Sequence, residues 1–421
     1  MSTDNHQHEP ESKKKEKKKF HRHLTKYLTE RDTVFATIWV FIFIFVLGSI
    51  PLNLGVINPI KLSLKDFDSN DMSYSKLGKA KTTPPDSNIV VVNIGTIDRE
   101  GLAMMIDKVA SYHPKVMALD AYFSGPRDPA QDSILRETFA KNPNLIAASI
   151  LQLSGKEGDT AVERGNYFKT AHQFAYVNFF QDSISTFRAF EPFYEDYAKK
   201  KYTSFSAAVV KAYNPEAYEL LEKKGHHHKV LINYSRHPSQ YLTVDFDNLM
   251  MMNESDSAIF AHKIVLFGYV NNDPNDITDK KFTPMNKKFY GKSVPDMNGI
   301  YIHANIISMA LEKNYIKKLP SWVNLLIAII ICWFHMSFFI HYYLESHIWF
   351  HLAAKLAQVA SAIFFVWLGI YLYDKYRLKV DLKLSLIVIV MAVDVIYFYE
   401  AWAVWMHRKF KYRTVFKPHN H

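Results

Sequence analysis

Four long apolar runs punctuate the chain: Val34 to Leu54, Trp322 to Leu344, Leu352 to Tyr373 and Leu384 to Met406. Each approaches or passes the ~20 residues that an α-helix needs to cross the hydrocarbon core of a bilayer. Between the first and second runs the pattern changes. Asn88 to Gly95 is a β-branched apolar run of the kind buried on both faces of a parallel sheet. Leu102, Met105, Ile106 and Val109 then recur at helical spacing behind Asp98, a natural N-cap. Lys115 to Phe123 predicts a second strand, Asp128 to Lys141 a second helix and Leu145 to Leu151 a third strand. Further strands are expected at Ala175 to Phe180, Lys229 to Tyr234 and Lys263 to Val270, with helices near Ser204 to Tyr213 and Tyr301 to Asn314. Strand and helix alternating at this spacing imply right-handed βαβ units and a mostly parallel sheet.

The expected organisation is therefore a basic tail (1–33), a first span (34–54), an outer α/β domain (55–320), three spans (322–344, 352–373 and 384–406) and a second basic tail (407–421). A cleaved signal peptide fits the first run poorly, because the run is long and Gly48-Ser49-Ile50-Pro51 offers no small-residue cleavage pattern. Trp322, Trp349, Tyr371, Tyr373 and Trp405 sit near run ends, where interfacial aromatics belong.

Charge orients the scheme. The net charge is +10, and the excess collects in the tails, notably Lys13 to Lys19 and Arg408 to Arg413. Positive-inside bias then predicts both termini in the cytoplasm and the α/β domain outside. The loop Asp374 to Lys383, with Lys375, Arg377, Lys379 and Lys383, runs mildly against this. Basic tails beside spans have a simple role at anionic headgroups, so no nucleic-acid partner is expected. With Cys332 the only cysteine, an intrachain disulfide and cysteine-based metal sites are excluded. The outer domain, about residues 61–318, is expected to fold without cross-links.

Candidate chemistry is sparse. The glycine-rich dinucleotide motif, the P-loop, H-E-x-x-H and G-x-S-x-G are all absent, so no catalytic residue is assigned and no enzyme or cofactor is expected. Asp120 ends a predicted parallel strand, beyond which ligands bind in open α/β sheets. Asp273, Asn275, Asp276 and Asp279 follow another strand and carry oxygen ligands suited to a hard cation, but Asx residues are also ordinary turn formers and the EF-hand spacing fails. His226-His227-His228 reads as an exposed turn. Within the spans, Lys355, Asp394 and Glu400 are out of place in lipid and belong at a bundle interior or a partner. Lys355 lies near a run end and can snorkel. Asp394 lies near mid-run, with no evident basic residue opposite it.

The outer segments resemble the CHASE2 domain, an extracytoplasmic sensor module of bacterial receptors, over about Asn88 to Lys313. The resemblance rests on Met117-Ala118-Leu119-Asp120-Ala121-Tyr122-Phe123, on Lys229 to Tyr234 with Thr243-Val244, on Lys263 to Gly268 followed by Asp276 and Phe282-Thr283-Pro284, and on Gly299-Ile300-Tyr301-Ile302-His303-Ala304-Asn305. The family's W-P-W-x-R segment is missing where Gly95-Thr96-Ile97-Asp98 runs straight into a helix. The resemblance implies a CHASE2-like α/β fold in the periplasm, held in a bacterial inner membrane. It places Asp120, Asp276, His303 and Asn305 as candidate ligand contacts. Members typically continue into an output domain, whereas only His407 to His421 follows the last run here, so none is expected. The combined reading is a non-enzymatic, receptor-like membrane protein. It would couple to a separate membrane or cytoplasmic partner, or to a second copy. A structural subunit of an envelope complex is the alternative.

Overall fold

The computed structural model describes residues 27–50, 68–74, 83–154, 160–165, 167–168, 173–180, 185–225, 229–273, 275–286, 294–345 and 347–416. The expected N-terminal tail to residue 26, the end of the first run and His226 to His228 lie outside them. The chain forms two compact units, residues 62–316 and residues 1–61 with 317–421.

The helical unit begins with α1 (Arg31–Ser49). The unit formed by residues 62–316 then contributes α2 (Arg99–Ala110), α3 (Pro129–Lys141), α4 (Phe205–Tyr213), α5 (Pro215–Gly225), α6 (Phe246–Met251) and α7 (Gly299–Leu311). The helical unit resumes with α8 (Ser321–Glu345), α9 (His347–Tyr376) and α10 (Lys383–Phe410).

In the α/β unit the main sheet contains β1 (Ile89–Asn93), β2 (Val116–Leu119), β3 (Leu145–Ser154), β4 (Thr160–Arg164), β5 (Gln173–Tyr176), β6 (Leu242–Asp245) and β7 (Ile264–Gly268). The order is β6-β1-β7-β2-β3, with β4 and β5 both pairing β3. All pairs are parallel except the β3–β4 hairpin. The β-branched run of β1 explains its central place. Ile89 and Val91 pack on one face with α4, α5 and α7, while Val90 and Val92 pack on the other with α2, α3 and α6. The helices start where the sequence supplies acceptors: the Asp98 side chain takes the Gly101 N–H, Asp128 takes those of Ala130 and Gln131, and Ser204 takes that of Ala207. Each such cap stabilises its helix by about 1 kcal/mol.

The segment expected as a strand from Lys229 to Tyr234 departs from the sheet. Only Val230–Leu231 is extended, antiparallel to Ala189–Phe190. Side-chain gripping explains this. The Asn233 amide donates to the Asn314 carbonyl at 3.0 Å, and the Arg236 N–H donates to Asn305 Oδ1 at 3.1 Å, which draws the chain against α7. Thr243 and Val244 instead supply the edge strand β6.

In the other unit, α1, α8, α9 and α10 are each long and apolar enough to cross a membrane. Their core joins Ala36 and Val40 to Met336 and Phe339 of α8 and to Val388, Ile396 and Tyr399 of α10. Only Phe350 and Ala354 represent α9 among its buried apolar residues. The basic loop after α9 is ordered: Leu378–Lys379 pairs in parallel with Lys317–Lys318. The last helix continues to Phe410, and the segment after it folds back to bury Phe416 in the bundle core.

Candidate functional site

The carboxyl ends of the parallel strands form the place in this fold where loops, not helices, cover the sheet. Asn93 ends β1 and ties the edge together. Its amide donates to Asp245 Oδ1 at 2.8 Å, and its Oδ1 accepts the N–H groups of Gly95 and Val270 at 3.0 and 2.9 Å. Asp120 directly follows β2, its backbone N–H donating to the Phe267 carbonyl at 2.8 Å. Its carboxyl group forms no hydrogen bond or ion pair with a described residue.

Two further residues set its electrostatics. Asp279 sits at φ +54° and receives the Gly299 N–H at the start of α7 on both its carbonyl and its Oδ2, at 3.1 and 3.2 Å. Lys281 lies on the short ladder Lys280–Lys281 with Met297–Asn298. Burial, reinforced by the Asp279 charge and opposed by Lys281, pushes the Asp120 carboxyl up to about 7. Desolvation also raises Asp279, against Lys281 and the Gly299 N–H. The space at this junction is tight: a Cβ on Gly268 would stand 2.7 Å from Ile300, and one on Gly299 would stand 3.2 Å from the Asp279 carboxylate. The arrangement is a desolvated carboxyl group beside a second carboxylate and one ammonium group, at the mouth of a parallel sheet and the start of α7. It suits proton uptake or a ligand that donates hydrogen bonds. It offers no nucleophile–base pair.

The other sequence candidates lie elsewhere. Asp276 is engaged within its own loop: the Thr278 side chain and N–H, with a smaller contribution from the Asn271 amide, hold its carboxyl below the usual range. The neighbouring Asp273 side chain likewise accepts the Asn275 N–H at 2.9 Å, an Asx turn. Among the described residues no group of three or more His, Cys, Asp or Glu is placed to hold a metal ion. His303 is buried, 2.8 Å from Ser206 Oγ, between the rings of Phe179 and Phe205. Burial drives its imidazole down to about 3, so it stays neutral. Asn305 is fully buried and binds both the N–H and the carbonyl of Arg236 at 3.1 Å. Both residues of the G-I-Y-I-H-A-N stretch therefore serve packing inside the domain, because α7 is apolar on nearly every face and its few polar groups must be satisfied internally.

Sequence reasoning singled out Asp120 and named Asp279 only within a cation cluster. It missed Lys281 and Asn93. Neither Asp279 nor Lys281 carried a local signal: Asp279 lies 20 residues before the glycine that opens α7, and an isolated lysine in a loop is ordinary.

A family model for the CHASE2 domain matches residues 40–338. The chain belongs to the CHASE2 domain family. No curated protein and no solved structure matches it. CHASE2 domains are extracytoplasmic sensor domains, and the α/β unit of residues 62–316 lies within the matched region.

Proposed function

We propose that this CHASE2 protein is a four-span receptor of the bacterial inner membrane, with both termini in the cytoplasm and residues 62–316 in the periplasm. The observation that carries the reading is the family match laid over a chain whose αβα unit is flanked by apolar helices on both sides. Basic residues in both tails support the orientation. The mouth of the sheet is the sensing site, with Asp120 as the group that takes up a proton or accepts hydrogen bonds from a small ligand. Asp279 contacts the first residue of α7, and residues 312–320 join α7 to α8, so occupancy at Asp120 has a short covalent route to the bundle. The protein acts without catalysis of its own and passes its signal to a separate protein.

The test is a reporter that is active only in the periplasm. Inserted after Gly225 it should be active, and fused after His421 it should be silent. Activity at the C-terminus would overturn the four-span topology. Purification from native membranes then tests the coupling: a signalling kinase or cyclase retained with the chain supports it, and a stoichiometric envelope scaffold in its place counts against it.

A further inference from the structure

We propose that two copies of this chain associate through α9 and α10, with Asp394 of each copy paired to Lys355 of the other. The proposal rests on the reading of these helices as membrane spans. Asp394 does not face the bundle core. It is exposed on α10 within a single stripe of Ile387, Val390, Asp394, Phe398, Ala401 and Trp405, all exposed and spaced three or four residues apart. That spacing is one face of a helix, and it is the face that the bundle leaves uncovered. On α9, Lys355 is likewise exposed, between Leu352 and Val359.

The two charges lie at one level. Gln358 donates to the carbonyls of Ile389 and Val390 at 2.9 and 2.8 Å, and His351 Nε2 lies 3.3 Å from the Tyr397 hydroxyl. Two antiparallel helices tied at those points bring Lys355 level with Asp394 to within about one residue, or about 1.5 Å along the axis. Lys355 itself lies about 12 Å along α9 from its first residue, at the helical rise. Yet neither side chain forms a hydrogen bond or an ion pair with a described residue. A basic group thus stands opposite Asp394, contrary to the expectation from the sequence, without meeting it.

Two opposite charges at one depth on the outer surface of a bundle are unfavourable facing hydrocarbon and complementary to each other. A twofold axis along the membrane normal supplies the missing contact twice, because in such an interface residue i meets j and j meets i. A lone polar position in an apolar helical seam also fixes which register the seam adopts. The same residues thus set both the partner and its alignment.

Charge reversal in trans separates this pairing from a bond within one chain. The full-length protein, Asp394→Lys and Lys355→Asp would be placed in lipid nanodiscs or native vesicles, and copies counted by single-molecule photobleaching. Each variant alone should lose about fivefold in dimer fraction, and an equal mixture of the two should recover it as a heterodimer. Wild-type protein that is monomeric, a single reversal that leaves dimerisation unchanged, or a mixture that fails to recover would each overturn the proposal. Alkaline carbonate extraction of the wild type checks the underlying reading separately: a chain that washes off was never spanning, whereas a retained chain without recovery in trans refutes only the interface. Where a reversed variant fails to insert, copies carrying Cys332→Ala with Val359→Cys or with Val390→Cys provide the second measurement. Cross-linking between the two supports the interface, and its absence under oxidation refutes it.

Discussion

The two units of this chain stabilise buried carboxylates in different ways. In the α/β unit several partners are arginines, although Asp279 takes the Gly299 N–H and Asp296 the Thr283 N–H. Arg236 reaches Asp86 at 3.4 Å and Glu312 at 2.6 Å, Arg188 reaches Asp71 at 2.5 Å, and Arg99 pairs with Asp132 beneath the rings of Phe123 and Phe168. In the helical unit the partners are neutral. Asp32, only 2% exposed, accepts from the hydroxyl of Tyr399 at 2.5 Å and from the Val415 N–H at 2.6 Å. Glu400 accepts from the hydroxyl of Tyr343 at 2.5 Å. A guanidinium tethered near water can be desolvated part-way and keep five donors in use. An arginine in a hydrocarbon-facing bundle has no such refuge. On the proposed membrane placement the surrounding solvent selects the type of partner, and substitutions at these sites should differ in size accordingly.

The largest effect is expected at Arg236. Arg236→Met leaves the Asp86 carboxylate, whose side chain is 5% exposed, without its cation, though Ser308 and the N–H groups of Asn88 and Ile89 still donate to it. Removing one partner of a buried pair costs about 3 kcal/mol at the low end of the measured range. Denaturant unfolding of the excised unit, residues 61–318, should show it. A loss under 1 kcal/mol would place this network with the neutral type.

Asp120 tests the comparison from the other side, as a carboxyl group that neither kind of partner has claimed. Its folded pKa of about 7 lies above the ordinary aspartate value of 3.8. The folded state therefore holds the proton more tightly, and stability from this group rises as pH falls through 7 and levels off near 4. Asp120→Asn should stabilise the excised unit at pH 8, keep roughly a third of that gain at pH 5 and lose it below pH 4. The full shift corresponds to ~4 kcal/mol, and the partial water exposure of Asp120 discounts this to about 1 to 2 kcal/mol. His303 works in the opposite sense below pH 6.5, since only its unfolded form takes a proton there. That contribution is common to both proteins and cancels in the difference. An equal gain at pH 5 and pH 8 would show that Asp120 does not titrate in this range.

A smaller effect is expected at Asp32. Asp32→Ala orphans the Tyr399 hydroxyl and the Val415 N–H, and it should release the segment that brings Phe416 into the bundle. Hydrogen bonds of this kind are worth about 0.6 kcal/mol each, so the loss is about 1 kcal/mol. Trypsin cleavage after Lys411 and Arg413 in the full-length protein should accelerate severalfold. An unchanged cleavage rate would detach the tail from Asp32.

The contrast between the units was only partly legible in the sequence. Hydrophobic period alone separated the apolar helices from the αβα layers, and the β-branched runs of β1 and β7 marked the central strands, because burial on both faces leaves little choice of residue. Asp120 was legible for a related reason: a polar residue ending such a run stands where the sheet stops. The arginine pairs were not. Arg236 and Asp86 lie far apart in sequence, and nothing local distinguishes them from surface charges. His303 and Asn305, named from the resemblance, lie on a helix buried nearly all round, and polar residues on a helix entry read the same in sequence whether they face a ligand or the interior. The length of the Lys229 to Tyr234 strand was overread because its apolar pattern is satisfied equally by packing against α7.

The smallest expected effect bears most directly on the comparison. Tyr343→Phe removes one hydroxyl and changes almost no volume, so no cavity accompanies it and the measured loss is that of the hydrogen bond to Glu400. In a bundle where neutral donors suffice, the carboxyl group can recruit another hydroxyl, and the reference state in a membrane finds partners too. The loss should therefore sit near the average of about 0.6 kcal/mol for such bonds, a factor of about three in the unfolding equilibrium. Glu400→Gln, which keeps an acceptor for the same hydroxyl, should lose less. Steric-trapping or denaturant unfolding of the full-length protein in bicelles reads both. A loss of 2 kcal/mol or more from Tyr343→Phe would mean that Glu400 depends on this single donor. The bundle would then hold its carboxylates as tightly as the arginines hold theirs in the α/β unit, and the distinction by solvent would fail at the place where it predicts the gentlest change.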